Sequence, residues 1–151
     1  MSNTRICFVR HGETNWNAER RMQGHIDIPL NANGISQAER LANALIRVKH
    51  SFDVIYSSDL ERALHTANAV ASALSLDVQI TPRLRERNVG KLQGLLLAEA
   101  PVLLPEIWQR HIARELDHDL GGGESIRTFH QRMQDILELF LSEHRGQSVL
   151  A

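Results

Sequence analysis

Apolar positions along the chain follow two periods, and the switches between them mark its elements. The run Ile6-Cys7-Phe8-Val9 is continuous and stops on the polar cluster Arg10-His11-Gly12-Glu13-Thr14. That predicts a fully buried strand with the cluster just past its carboxyl end. Arg10 to Gly34 is polar and carries Pro29 and several glycines, so it reads as a long ordered loop, a kind that in a compact domain usually serves function. From there Ile35, Ala38, Leu41, Ala42, Leu45 and Ile46 recur at helical spacing, with Ser36 and Glu39 as a capping box, and a helix is expected to about Val48. Asp53-Val54-Ile55-Tyr56 predicts a second strand. Ser58 with Glu61 is expected to cap a second helix whose apolar face is Leu60, Ala63, Leu64, Ala67, Val70, Ala71 and Leu74.

Val78-Gln79-Ile80 predicts a third strand ended by Pro82, and Leu84 to Gly94 reads as irregular chain. Leu95 to His118 is apolar but interrupted by Pro101 and Pro105, which predicts a short excursion with a helix starting near Pro105. After the break at Gly121-Gly122-Gly123, helical periodicity returns from Ser125 to Glu143 through Ile126, Phe129, Met133, Ile136, Leu137, Phe140 and Leu141. Gly146 ends that helix and Ser148 opens a last strand. Strands alternating with helices over short joins imply the α/β class, with a parallel sheet covered by helices on both faces. At 151 residues the chain has the length of a single domain, 1–151, with the excursion at about 95–121 as an insertion.

Composition narrows the function classes. A net charge of -1 gives no global pull toward nucleic acid or an acidic membrane, so any attraction to phosphate must be local. The lone cysteine, Cys7, has no intramolecular disulfide partner, which suits a reducing cytoplasm. After Met-Ser-Asn-Thr-Arg only four apolar residues precede Arg10, too few for a signal peptide, and no later run approaches a membrane span. The histidines at 25, 50, 65, 111, 118, 130 and 144 lack the paired spacing of a zinc site, and no phosphate-binding loop ending in Gly-Lys-Ser/Thr is present. Cys7 does not open a cysteine-phosphatase loop, because position 13 holds Glu13 where an arginine would be needed.

The polar cluster after the first strand resembles the Arg-His-Gly signature of the histidine phosphatase superfamily, the phosphoglycerate mutase-like proteins. Further elements follow in the family's order: Asn17, Gln23-Gly24, Asp27, Pro29-Leu30, Gly34, Gln37-Ala38, then Ser57-Ser58-Asp59-Leu60, Arg62-Ala63 and Thr66-Ala67. Leu84-Arg85-Glu86, Gly90, Gly94 and Gly122-Gly123-Glu124-Ser125 complete the series. The resemblance implies a three-layer α/β/α sandwich with a mainly parallel sheet, and a histidine that takes up a phosphoryl group. It also implies a second active-site histidine in a Ser/Thr-His-Gly turn after a strand that this chain has only begun at Ser148-Val149-Leu150-Ala151. The chain is therefore expected to be the first part of a longer phosphatase, truncated at its C-terminal end.

Each role has a chemical reason. His11 is the expected nucleophile, because imidazole attacks phosphorus only when neutral, with one nitrogen free and the other held by a hydrogen bond that fixes the tautomer. Gly12 would let backbone approach the ligand closely. Arg10 and Arg62 are the expected phosphate clamps, since a guanidinium fork matches two phosphate oxygens and stays charged. Arg62 also falls in the first turn of the second helix, where free amides favour an anion. Asn17 can donate an amide hydrogen bond to the same phosphate, and Gln23 and Gly24, by resemblance, line the substrate side. Glu86 matches the family's acid: a carboxyl shielded from solvent beside phosphate keeps the proton that the leaving oxygen needs. Glu13 is its rival by proximity in sequence. Glu124 is read as part of a helix-start turn with a secondary role.

No cofactor or metal is implied, and the expected partner is a small phosphorylated metabolite, without nucleic acid or membrane. Mutases of this family carry a long insertion between the acid and the Gly-Gly-Glu-Ser turn. Here only Arg87 to Gly121 intervenes, and a short lid admits water, which favours hydrolysis over transfer back to substrate. Mutase-type transfer is the alternative. If the chain is complete, the missing histidine would lower the rate by on the order of 10²-fold to 10³-fold, and the exposed sheet edge would favour association between copies. A non-catalytic phospholigand-binding module is then the reading from another class.

Overall fold

Four short strands, Arg5–Cys7 (β1), Val54–Ser57 (β2), Val78–Ile80 (β3) and Ser148–Leu150 (β4), form one sheet in the order β1-β4-β2-β3 with every pair parallel. The computed structural model describes residues 3–48 and 51–151, and His50 lies outside the described residues. Helices Ala32–Arg47 (α2) and Glu61–Leu74 (α3) cover one face, where Ala42, Ile55, Val70, Ala71 and Leu150 form a core. Ile126–Glu143 (α6) covers the other through Ile136 and Phe140 against Val54, Tyr56 and Val149. This is the three-layer α/β/α arrangement that the alternation of periods predicts.

Phe140 is fully buried, and its ring lies 4.7 Å from that of Tyr56. Truncating it to alanine would open a cavity that the sheet cannot collapse into. Phe140→Ala is expected to destabilise the fold by about 3–5 kcal/mol, read as a lowered denaturation midpoint.

The first strand is shorter and less buried than its apolar run suggests. It lies at the sheet edge with β4 as its neighbour, and Phe8, just past its end, is 59 % exposed. The chain nevertheless stays pinned beyond Cys7, because Val9 N donates to Ala151 O at 2.7 Å.

The helix caps also differ from expectation. Asn31, rather than Ser36, caps α2 by accepting from Gly34 N at 2.8 Å, so the helix begins a turn earlier. Ser36 lies inside the helix and accepts from Arg40 instead. No neighbour caps α3: Asp27, far back in the loop, accepts from Glu61 N at 2.8 Å. The buried seam of α3 is Arg62, Thr66, Val70 and Ala71, so two polar residues occupy positions that the apolar period leaves unassigned. Opposite them α2 buries Gly34, Ala38 and Ala42, residues small enough to let the helices approach closely.

The loop from Arg10 to Gly34 is ordered and contains a short helix, Asn15–Ala18 (α1). The excursion beyond residue 95 forms Ala100–Leu103 (α4) and Pro105–Ile112 (α5), the latter starting on its proline. It carries its own small core of Val89, Leu92, Ala100 and Leu120, joined by Met22 and Trp108. Among the described residues no helix is long and apolar enough to cross a membrane.

Candidate active site

A cavity of about 250 Å³ opens at the carboxyl ends of the parallel strands, with walls that include Val9 after β1, Ser57 and Ser58 at the end of β2, and Leu150 in β4. Open α/β sheets bind ligands at this end. Arg10, His11, Arg62 and Glu86, separated by up to 76 positions in sequence, all line this one cavity.

His11 stands at its mouth on a loop that is tied down from three sides. Gly12 N donates to Thr66 Oγ1 at 3.1 Å, and that hydroxyl donates to Arg62 O at 2.8 Å, which joins the loop to α3. Glu13 N donates to Gln37 Oε1 at 2.8 Å, which joins it to α2. Gly12 and Gly34 meet backbone to backbone: a Cβ on Gly12 would run into Gly34, and one on Gly34 would run into Glu13. The glycine of the motif is thus required for packing against α2, a constraint that the sequence pattern does not reveal.

The imidazole Nδ1 lies 2.7 Å from Gly12 O. A carbonyl only accepts, so Nδ1 carries the hydrogen and Nε2 keeps its lone pair. Burial pushes the His11 pKa below its ordinary 6.5, opposed by the Gly12 hydrogen bond and assisted by the charges of Arg62 and Arg10. The surroundings therefore favour the neutral ring with its free nitrogen available.

Arg62 is 1 % exposed, and its guanidinium is held by the loop before it: Nη1 donates to Ile26 O at 2.9 Å and Nη2 to Gly24 O at 2.7 Å. Its Nε is buried and finds no acceptor among the described residues. Desolvation lowers the Arg62 pKa, but guanidinium remains charged at any working pH. A buried cation with an unanswered donor beside a cavity is suited to an oxyanion. Arg10 is exposed at the rim.

The remaining expected residues fall differently. Glu86 is exposed, so the chain does not supply the shelter from solvent expected for its carboxyl, and one of its oxygens accepts from Arg87 N at 2.8 Å. Its rival Glu13 is committed elsewhere: Asn31 donates to its carboxylate at 2.8 Å and holds its pKa below the ordinary value. Asn17, Gln23 and Gly24 stand outside the cavity lining. Asn17 completes a capping box with Thr14, whose hydroxyl donates to Gln23 at 2.8 Å, and Gly24 offers its carbonyl to Arg62. Asn17 and Gln23 thus bond Thr14 in the motif loop, and Gly24 bonds Arg62.

Three features escaped the sequence pattern. Thr66 links the two halves of the site. Asp59 grips Arg85 through both carboxylate oxygens and holds the segment before Glu86 against the start of α3. Arg132 on α6 reaches the same segment from the other side. Asp59 and Thr66 lie within the matched motifs, but nothing in spacing shows what they bind, and Arg132 carries no motif at all. Among the described residues no group of three or more acidic, histidine or cysteine side chains is placed to hold a metal.

Comparison with known proteins places these features in a family. The profile described as "Histidine phosphatase superfamily (branch 1)" matches residues 6–151. "Phosphoglycerate mutase-like protein 4" of Arabidopsis thaliana is 40% identical over 147 residues, which are 96% of this chain and 64% of that protein. "Metal-independent phosphoserine phosphatase" of the same plant is 40% identical over 149 residues, 97% of this chain and 62% of the relative. The chain thus spans somewhat under two thirds of the length of these curated relatives. Among solved structures, a mycobacterial glucosyl-3-phosphoglycerate phosphatase complexed with VO3 superposes with a TM-score of 0.81 at 30% identity, over 95% of this chain and 72% of that one.

Proposed function

The chain belongs to the histidine phosphatase superfamily, branch 1, and on that premise we propose that it hydrolyses a small phosphomonoester through a phosphohistidine on His11. One observation carries the reading. Arg10, His11, Arg62 and Glu86 line a single cavity at the strand ends, and the His11 ring is fixed so that Nε2 is the nitrogen left free.

The chemistry proceeds in two steps. Nε2 of His11 bonds to phosphorus as the ester P–O bond breaks, and the departing oxygen keeps the electron pair and takes a proton from Glu86. Arg62 and Arg10 neutralise charge on the transferring group, the main demand of a loose phosphoryl-transfer transition state. Water then attacks phosphorus, Glu86 accepts its proton, and the P–N bond breaks to restore neutral imidazole. Relatives named as phosphatases of phosphoserine and of glucosyl-3-phosphoglycerate support a small phosphorylated substrate here. Exposure of Arg10 and Glu86 leaves water a path to the intermediate, which favours hydrolysis over the mutase transfer that the other relative's name suggests. A reducing, cytoplasmic setting suits the single cysteine.

The pH dependence of turnover on p-nitrophenyl phosphate tests the reading. The neutral ring is the reactive form, and its pKa is held below 6.5, so the acid limb of kcat/KM should be centred below pH 6.5. The same shift acts on stability. A histidine whose folded pKa is depressed contributes fully above its unfolded value, and that contribution is lost as pH falls through the folded one. An acid limb centred above pH 6.5, or no release of inorganic phosphate at all, would contradict the proposal.

A further inference from the structure

The carboxyl of Glu86 is exposed, yet the main chain that carries it is among the most heavily tied in the molecule. Arg132 directs its guanidinium at that segment: Nη1 donates to Arg83 O at 2.6 Å and to Arg85 O at 2.8 Å, and Nη2 reaches Glu86 O at 3.4 Å. Its Nε and Nη2 also grip the two carboxylate oxygens of Glu124 at 2.8 and 2.7 Å. Glu124 in turn accepts from Asn88 N at 3.1 Å, on the far side of Glu86. From the loop that seats Arg62, His25 Nε2 donates to Glu86 O at 2.8 Å. The side chains of Arg132 and Glu124 are only 17 % and 16 % exposed. Burial alone would raise the Glu124 pKa, but the hydrogen bonds from Arg132 and Asn88 outweigh it and hold it low, so both partners stay charged.

A pair this sheltered returns little in stability, because the cost of removing two charges from water roughly cancels their attraction. What it supplies is geometry: a planar fork meeting a carboxylate in two places has one arrangement, and the same fork meets three carbonyls between Arg83 and Glu86. We propose that Arg132 and Glu124 are a positioning pair, which fixes the main chain at Glu86 so that an otherwise exposed carboxyl meets the leaving oxygen. This rests on the reading of Glu86 as the proton donor. The pair is expected to matter in proportion to how much the leaving group needs that proton.

Leaving-group dependence is therefore the readout. A p-nitrophenolate departs with little help, whereas the alkoxide of glycerol 2-phosphate must be protonated as it leaves. Arg132→Met and the milder Glu124→Gln would be compared with Glu86→Gln and the unaltered chain on both substrates, with folding checked by circular dichroism. Both pair variants should lose on the order of 10²-fold in kcat/KM on the alkyl ester, the scale of a misplaced catalytic group, and far less on the aryl ester, because kcat/KM reports the step in which the leaving oxygen departs and not the later hydrolysis in which Glu86 acts as base. Glu86→Gln should show the same selectivity. Equal losses on both esters in the pair variants, alongside a selective loss in Glu86→Gln, would overturn the positioning role and leave the acid in place. A Glu86→Gln variant without selectivity, or an unaltered chain that turns over neither ester, would overturn the acid reading and this inference with it.

Discussion

Replacing His11 with alanine is expected to reduce turnover of p-nitrophenyl phosphate by on the order of 10⁴-fold or more, the scale seen when a covalent nucleophile is removed. The loss should fall on kcat, because Arg10 and Arg62, the proposed phosphate ligands, remain. Cys7 lies in β1 and is not among the lining residues, and Ser57, which is, donates its hydroxyl hydrogen to Ser58 O at 2.9 Å with no base beside it. The ring makes one hydrogen bond, to its own neighbour's carbonyl, so the alanine variant should keep its fold. Unaltered thermal unfolding with abolished turnover is the expected pair of results, and residual activity above about one per cent would mean that the nucleophile lies elsewhere.

Arg62→Met should fail in two ways at once. The side chain is buried, and it bonds the carbonyls of Gly24 and Ile26 while its Nε has no partner among the described residues. Removing its charge deletes an oxyanion contact, and kcat/KM is expected to drop on the order of 10²-fold to 10³-fold. It also leaves two carbonyls without donors, which costs roughly 1–3 kcal/mol for each that water cannot reach. Lysine should not rescue it, because a point charge on a flexible stem cannot hold both carbonyls and an anion. Steady-state kinetics, binding of inorganic phosphate and denaturant unfolding would check the three parts. Wild-type phosphate affinity in Arg62→Met would remove this residue from the site.

The architecture was legible because each strand core and helix face repeats a simple period. Val54-Ile55-Tyr56 could be nothing but a buried strand, and the stripe through Ile136 and Phe140 marks α6. Legibility failed where polar residues are buried for a purpose. Periodicity assigns the face of α3 to leucines and alanines, yet Arg62 and Thr66 occupy its seam, where they hold the loop and the motif. Short-range capping rules chose Ser36 and Ser58, whereas Asn31 and the distant Asp27 make the bonds. A residue on another element can outcompete a local cap, and no local window detects it.

The site divides along the same line. The candidate residues that line the cavity, Arg10, His11, Arg62 and Glu86, sit in motifs that can be recognised one at a time. Those that hold them do not. Asn17, Gln23 and Gly24 carry motif positions but serve the scaffold of Arg62 and Thr14, and Arg132 acts across 46 positions of sequence on Glu86 with no pattern to mark it. The shelter expected around the acid is likewise a property of neighbours, and at Glu86 the chain provides support for the backbone without cover for the carboxyl.

The account depends on a phosphoryl group resting on one imidazole nitrogen. Mixing the protein with a phosphomonoester bearing radiolabelled phosphate, quenching in alkali during turnover and mapping the labelled peptide tests this directly. Label stable to base, lost in acid, confined to the peptide carrying His11 and absent from His11→Ala is the predicted result. Turnover with no label on that peptide, or label that survives acid as an ester of serine or threonine would, contradicts it.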